Sequence, residues 1–242
     1  MQGSVISPLL ANVFLDYVLD KFFIEWRKEL AKGEMYLVRY ADDFVICFQY
    51  EREALRFKEV LEDRLKCAGL ALSEEKTRLI QFGKNARKDL EKEGKGVPES
   101  FNFLGFCHNC GITWKDKVFK LIRTTISSRL EKKLTEIAGK LENCLRGTGI
   151  AYTIKWINMV LNGYYNYFAV HDNLETLCTF RYRICEIFYK ALHSLSQRSI
   201  WNWDKFNEHI GKFLLFPKVR HPYPLERMKT RQALLYKLRY ET

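Results

Sequence analysis

The sequence predicts an α+β protein in which a small antiparallel sheet with helices is followed by an all-α helical bundle. Helical and β-rich stretches alternate through the first half of the chain, whereas from Ile126 onward apolar residues recur only at helical spacing. Charge divides the chain similarly, since residues 1–120 hold 20 Lys and Arg against 19 Asp and Glu and residues 121–242 hold 20 against 10. We therefore expect two domains, 1–122 and 123–242.

The first elements are predicted to be a helix and a hairpin. An amphipathic helix should begin at Ser7, which would cap it, and should stop by Gly33. Two β-rich runs, 35–40 and 44–49, follow. They are separated by Ala41-Asp42-Asp43, which has the length of a tight hairpin connection.

Helical spacing returns over 51–68, and a short strand pair is predicted at 70–72 and 77–82. Charged residues and glycines over 83–98 favour an exposed loop. The runs 101–107 and 111–114 predict a second hairpin that turns at Asn109, with a further strand near 118–122.

The second half is predicted to be helical throughout. Asp172 and Glu175 have the spacing of a capping box before the last of its long helices. The predicted helices are Ile126–Leu145, Ala151–Ala169 and Leu174–Leu195.

Composition excludes a disordered chain, because 47% of the residues are apolar and 14% are aromatic despite a net charge of +11. A basic, aromatic-rich second half suits phosphate neutralisation and base stacking, although a merely solvated basic surface stays open. Seven scattered cysteines predict a reducing, cytoplasmic location, and no membrane-spanning stretch is visible. Cys107 and Cys110 form a lone C-x-x-C pair, which we interpret as strand and turn residues rather than a zinc site.

Two adjacent aspartates at a hairpin tip repel each other and add little packing. A divalent cation would offset the repulsion, since carboxylates on rigid strands hold the two Mg²⁺ ions of polymerases. The alternative is a turn that simply favours Asp. Asp42 and Asp43 are therefore candidate metal ligands.

Four ordered motifs carry a family resemblance. Tyr40-Ala41-Asp42-Asp43 resembles the Y-A-D-D box of non-long-terminal-repeat reverse transcriptases. The segments 2–12 (QGSVISPLLAN), 72–77 (LSEEKT) and 101–106 (FNFLGF) resemble further blocks of group II intron reverse transcriptases. In the helical half, 162–168 (NGYYNYF) and 220–224 (RHPYP) resemble maturase segments, so the likeness to a group II intron reverse transcriptase and maturase extends over essentially the whole chain.

This resemblance implies a fold, cofactors and partners. Residues 1–122 would be the C-terminal part of a polymerase palm, and 123–242 the maturase or thumb domain with its tail. The cofactor would be Mg²⁺ in a two-metal site. The partners would be intron RNA, an RNA template with a DNA primer, and deoxynucleoside triphosphates.

The resemblance also assigns roles to individual residues. Asp42, Asp43 and Lys76 would be catalytic, with both aspartates on the metal and Lys76 neutralising or protonating the leaving pyrophosphate. The nucleotide and template would lie near Gln2, Gly3, Tyr40 and Ala41. The primer grip would comprise Phe103, Leu104, Gly105 and Phe106, although the phenylalanines are equally well explained as strand core. The candidate RNA contacts are Arg123, Arg129, Lys132, Lys133, Lys155 and Asn166, whereas most aromatic residues of 164–168 are expected in the core.

The chain departs from a complete polymerase because its first block follows Met1 directly. We expect the fingers and the first catalytic aspartate to be missing, so that the chain alone is inactive and needs its N-terminal half or a second copy. Three hypotheses stay open at this stage. The chain is a fragment of an RNA-directed DNA polymerase, a splicing cofactor that binds intron RNA without chemistry of its own, or an inactive relict.

Overall fold

The computed structural model describes residues 6–94, 96–113, 118–195 and 201–221. It divides into two compact units, 1–104 and 105–242. Small antiparallel sheets accompany helices in the earlier part and a helical region follows, so the predicted α+β class is confirmed. The second unit begins earlier in the chain than the domain boundary predicted at 122/123, which stays a prediction about domains.

The first unit opens with a helix whose register changes once. Helix α1 (Ser7–Leu15) passes through a π-helical turn (Asp16–Asp20) into α2 (Lys21–Glu29). Ser7 already lies inside the helix and Ile6 takes the capping position without a side-chain hydrogen bond, so the predicted Ser7 cap is wrong.

Gly33, the predicted helix stop, lies beyond the helix end and has a different role. A Cβ added at Gly33 would come within 2.7 Å of the Tyr50 ring. Glycine is therefore required by a close approach of side chain to backbone and not by helix termination.

The predicted hairpin is confirmed. Strand β1 (Met35–Tyr40) pairs antiparallel with β2 (Asp43–Phe48), and Tyr40 lies opposite Asp43, which leaves a two-residue connection. Helix α3 (Glu51–Cys67) packs beside it through Phe57, whose ring contacts the rings of Phe22, Phe23, Trp26 and Phe48. This aromatic cluster forms the core of the first unit.

Two predictions for the following segment are wrong. The described residues 70–82 contain no strand, and a turn at 73–77 is closed by the Thr77 amide donating to the Ser73 carbonyl at 2.8 Å. The predicted loop over 83–98 contains helix α4 (Ala86–Lys92), because Ala86 and Leu90 share a face that is buried. The unit ends at strand β3 (Phe101–Phe103).

The second unit begins with an antiparallel pair, β4 (Phe106–Ile112) and β5 (Phe119–Thr125). Asn109 lies within β4 opposite Ile122, so the turn predicted at Asn109 is wrong. The strand continues because each of its residues finds a partner in β5, which a sequence run alone does not show. Cys107 and Cys110 are both strand residues.

The helices of the second unit largely follow their predicted positions. Helix α5 (Ser127–Phe168) contains one break, at Gly149, whose φ of 77° separates the two predicted helices. It is followed by a 3₁₀ turn (His171–Asn173) and α6 (Leu174–Ser194). The described C-terminal part contains α7 (Trp203–His209) and a 3₁₀ turn (Gly211–Phe213).

The predicted capping box before α6 is wrong, because Asn173 and not Asp172 takes the capping position and no side-chain capping hydrogen bond forms there. Asp172 forms an ion pair with Lys120. The capping position belongs to Asn173, which is fully buried. Its side chain accepts from the Thr125 amide at 2.8 Å and donates to the Phe168 carbonyl at 2.9 Å. Asn173 thus joins the ends of β5 and α5 at the start of α6.

The core of the second unit lies between α5 and α6. Tyr165 and Phe168 are buried in it, Tyr164 is partly buried and Tyr167 is exposed, so the core prediction for this aromatic segment is confirmed for Tyr165 and Phe168. The Tyr165 hydroxyl donates to the Leu215 carbonyl at 3.1 Å. No helix in the described ranges is both long and apolar enough to span a membrane.

Candidate active site and nucleic-acid interface

The paired aspartates lie at the tip of the β1–β2 hairpin. Asp42 is the second residue of the two-residue connection and Asp43 is the first residue of β2, and both are exposed. Ala41 before them has a φ of 53°. A left-handed backbone costs an L-residue such as alanine about 1–2 kcal/mol, so neighbouring contacts must hold the turn in this form.

One side chain supplies such a contact. The guanidinium of Arg39 donates from Nη1 to the Ala41 carbonyl at 3.0 Å and to Asn12 Oδ1 at 2.9 Å. It also donates from Nε to Asp20 Oδ1 at 2.8 Å and from Nη2 to Asp20 Oδ2 at 2.5 Å. The hydrogen bonds to Asp20 raise the pKa of Arg39 above its usual value.

Arg39 was not identified from the sequence, although the strand pattern contains a signal. Along β1, Met35 is buried and Leu37 and Arg39 are partly buried, whereas the alternate residues Tyr36 and Val38 are exposed. A charged residue on the inward face of a strand needs an internal partner. The alternation therefore predicts that Arg39 has a partner inside the unit, but it does not predict which residue that partner is.

The donor chemistry of the hairpin tip suits a hard divalent cation. Carboxylate oxygens are the ligands that Mg²⁺ takes in proteins, and Asp42 and Asp43 provide two such groups. Among the described residues, neither carboxylate has a hydrogen bond or ion pair of its own. Within the same ranges no cluster of three or more His, Cys, Asp or Glu side chains forms, so the pair fits part of a metal site.

The other predicted catalytic and nucleotide-binding residues are placed as follows. Lys76 is exposed at the turn after α3, and its amide donates to the Ser73 carbonyl at 3.2 Å. Tyr40 is 68% exposed beside the aspartates. Gln2 and Gly3 lie outside the described residues. Their assigned roles stay predictions.

The predicted primer-grip segment contains a sharp turn. Leu104 and Gly105 have φ values of 47° and 81°, and two successive positive φ angles are typical of a type I′ turn. Phe103 precedes this turn as the last residue of β3. The turn predicted at Asn109 is therefore found at Leu104–Gly105.

Gly105 lies between Arg129 at the start of α5 and Phe168 at its end, and Phe106 packs against that end. A Cβ on Gly105 would come within 3.0 Å of Arg129 Nη1 and 3.5 Å of the Phe168 ring, so any larger residue would displace a neighbour. The Phe106 ring stacks on Tyr167 with 5.8 Å between centroids and meets Phe168 edge-on at 5.2 Å. The second unit thus brings together three features that were predicted separately: Gly105 with Phe106, Arg129, and the aromatic segment 164–168.

Most of the predicted RNA-contacting cations are available for a ligand. In the ranges that the structure describes, the side chains of Arg123, Arg129, Lys132 and Lys155 have no carboxylate partner. Lys133 differs, because its Nζ pairs with Glu136 at 3.0 Å. Cations without a carboxylate partner favour binding of a polyanion.

An open groove lies between the two arms of α5. Gly163 faces open space, since a Cβ there would meet no atom within 4 Å. Met159 and Tyr167, one helical turn to either side, are 64% and 51% exposed. Burial raises the pKa of Tyr164 to about 12, so its phenol stays neutral. The groove is lined by Lys133, Met159, Val160, Gly163, Tyr164, Tyr167 and Phe168.

Asn166 is committed to an internal contact. Its side-chain oxygen accepts from Arg220, and its carbonyl oxygen contacts His221 Nε2 at 2.6 Å. The Arg220 amide also donates to the Ala169 carbonyl at 2.9 Å. The described part of the 220–224 motif therefore anchors the C-terminal segment to the end of α5, a role that the sequence did not reveal.

Comparison with known proteins agrees with the first unit's motifs. Residues 1–108 match the sequence model of the family described as reverse transcriptase (RNA-dependent DNA polymerase). The matched range includes all four block motifs, from 2–12 to 101–106. No curated protein matches the chain. The match supports a reverse transcriptase domain in residues 1–108. Proteins of that family are nucleotidyltransferases that act on template, primer and nucleotides and generally use a divalent metal.

Proposed function

We propose that the chain is the rear part of a group II intron reverse transcriptase and maturase, which copies RNA into DNA and binds its intron RNA in the cytoplasm. The observation that carries the proposal is the Asp42–Asp43 pair at a hairpin tip inside the segment that matches reverse transcriptases. The four block motifs and the basic helical unit support it further.

In this proposal Asp42 and Asp43 are metal ligands. Bound Mg²⁺ would activate the primer 3′-hydroxyl and stabilise the leaving pyrophosphate. Lys76, exposed and solvated, would approach the pyrophosphate as a cation. Gly105 and Phe106 would hold the primer, and Gln2, Gly3, Tyr40 and Ala41 would line the nucleotide and template.

A polymerase site of this kind needs a third carboxylate, which the described residues do not bring to the hairpin tip. We therefore expect the purified chain to give no Mg²⁺-dependent extension of a primed RNA template. An upstream half of a related reverse transcriptase, added separately or fused, should restore extension. Robust extension by the chain alone would contradict this part of the proposal.

In the reconstituted enzyme, Asp42→Asn should abolish extension because the amide keeps the shape and removes the charged ligand. Asp63→Asn is the matched control, since Asp63 is an exposed aspartate of α3 whose ion pair with Lys66 is long, at 3.8 Å. That control should extend normally. Near-normal extension by the Asp42 variant would show that the metal assignment is wrong.

A second candidate function, RNA binding without chemistry, is favoured by the unpaired cations of the helical unit. The full chain should bind structured intron RNA through residues 121–242, and the binding should weaken steeply as salt rises. Each phosphate contact adds roughly 0.7–0.9 to the slope of log affinity against log salt. The splicing-cofactor hypothesis predicts this binding with no extension even after reconstitution, whereas an inactive relict would show neither.

Arg129 and Lys132 provide the test. Changing both to Gln should flatten the slope by about 1.4–1.8 if each contacts a phosphate. The matched control is the double substitution of Lys58 and Lys66 to Gln, which removes the same charge from the first unit. Both of these lysines have carboxylate neighbours on α3. Equal effects of the two pairs would show that RNA responds only to net charge.

A further inference from the structure

Arg39 joins the Y-A-D-D turn to the described part of the first block motif. Its donors contact Asn12, which is the last residue of that block, and the carbonyl of Ala41 inside the turn. The remaining donors bind the Asp20 carboxylate in a two-bond fork. One side chain therefore connects segments that lie 19 and 27 residues from it in the sequence.

The geometry restricts where Arg39 can point. A guanidinium is planar, so a fork of two bonds to one carboxylate fixes the direction of its remaining nitrogen. That nitrogen, Nη1, is directed at the Ala41 carbonyl. The Arg39 side chain is 13% exposed, and its fork with Asp20 is partly buried, whereas its bonds to Asn12 and Ala41 lie at the surface.

Both anchors of Arg39 are themselves held in place. Asp20 ends the π-helical turn, a local widening of the helix that is frequent at functional sites. Asn12 donates from Nδ2 to the Pro8 carbonyl at 3.0 Å, which leaves its Oδ1 directed at Arg39. Arg39 therefore links the turn to two points on the helix, Asn12 and Asp20.

We propose that Arg39 is a positioning residue that, through Asp20 and Asn12, holds Ala41 in its left-handed conformation and so presents Asp42 and Asp43 together to the metal. The metal part rests on the proposed function. A structural ion pair would need only the Asp20 fork. The additional bonds to Asn12 and Ala41 extend the network to the turn and leave the two aspartates free for a ligand.

The substitution Arg39→Lys distinguishes a structural ion pair with Asp20 from a role in positioning the turn. Lysine keeps the charge and can pair with Asp20, but its ammonium cannot reproduce the planar fork and contact Asn12 and Ala41 at once. Arg64→Lys is the matched control, because Arg64 also crosses between elements, donating from Nε to the Val18 carbonyl at 2.7 Å without contacting the turn.

The test is ¹⁵N relaxation of the full chain with and without Mn²⁺ as the metal probe. In the wild type and in Arg64→Lys the amides of Ala41, Asp42 and Asp43 should be rigid, with order parameters near 0.85, whereas in Arg39→Lys they should fall below about 0.6. The Mn²⁺ concentration that broadens these amides should rise about tenfold in Arg39→Lys, since loss of a ligand's supporting partner costs 10–100-fold in metal affinity.

The mobility measurement decides the proposal by itself. A turn as rigid in Arg39→Lys as in the wild type overturns it, whatever Mn²⁺ does. If Arg39→Lys does not fold, Asn12→Ala removes one anchor at an exposed position and must show the same increase in mobility in milder form. Mn²⁺ that broadens the amides of Asp42→Asn as readily as those of the wild type would instead refute the metal ligands of the proposed function.

Discussion

The second unit buries its apolar side chains in one cluster shared by α5, α6 and the C-terminal segment, whereas the first unit leaves many of its own at the surface. Helix α1 has no buried residue, and most of its apolar side chains are exposed, including Leu9, Leu10, Val13 and Phe14. The core of the first unit is the smaller aromatic cluster around Phe57. The unit that carries the Y-A-D-D segment therefore has less packing of its own to stabilise it.

The largest losses of stability should come from truncating one large buried side chain in each of the two cores. Phe57→Ala and Phe188→Ala each remove a side chain that is 1% exposed or less, and such truncations cost about 3–5 kcal/mol. Phe57→Ala should abolish protection of first-unit amides in hydrogen exchange while α5 and α6 stay protected. Phe188→Ala should lower protection in α5 and α6 first. If both variants lost protection everywhere at once, the two units would unfold as one and the comparison would fail.

The next largest effect should come from the polar junction of the second unit. Asn173→Ala would leave the buried Thr125 amide without its partner and remove one of the two bonds to the Phe168 carbonyl, at a cost on the order of 2–3 kcal/mol. The midpoint of urea denaturation measures it. Asn202→Ala is the control, because Asn202 caps α7 from an exposed position and its loss should cost about 1 kcal/mol. Equal losses would show that Asn173 acts only as a helix cap.

A smaller change of opposite sign is expected in the groove. Gly163→Ala fills open space in a helix and should raise the free energy of unfolding by up to about 1 kcal/mol. Gly139→Ala, also in α5 with nothing near its Cβ, should stabilise by the same amount. If the groove contacts RNA, only the Gly163 variant should bind RNA more weakly in a filter-binding assay.

The smallest change in stability is expected on α1. Leu10→Ser and Val13→Ser alter side chains that are 58% and 61% exposed, and such surface changes are usually within about 0.5 kcal/mol. Light scattering should show less association of the double variant, because exposed apolar patches drive aggregation. Losses above 2 kcal/mol would mean that α1 is packed in solution and that the contrast between the units is overstated.

The sequence by itself determined the motifs, the α+β class and most helices and strands. The hairpin at 40–43 and the apolar face of α3 follow from local periodicity and turn length, which depend only on neighbouring residues. The same local reasoning placed a turn at Asn109 and a capping box at Asp172. Both were wrong because Asn109 pairs with Ile122 and Asp172 with Lys120, partners that are distant in the sequence.

Only the tertiary structure decided how the candidate sites are supported. Arg39 is bound to Asp20 across 19 residues, and Asn173 to Thr125 across 48. Residue spacing along a strand shows that Arg39 faces inward, but a hydrogen bond is satisfied only by an atom at the right distance and angle. Which carboxylate or carbonyl occupies that place depends on how the helices and strands pack, and local sequence patterns do not encode it.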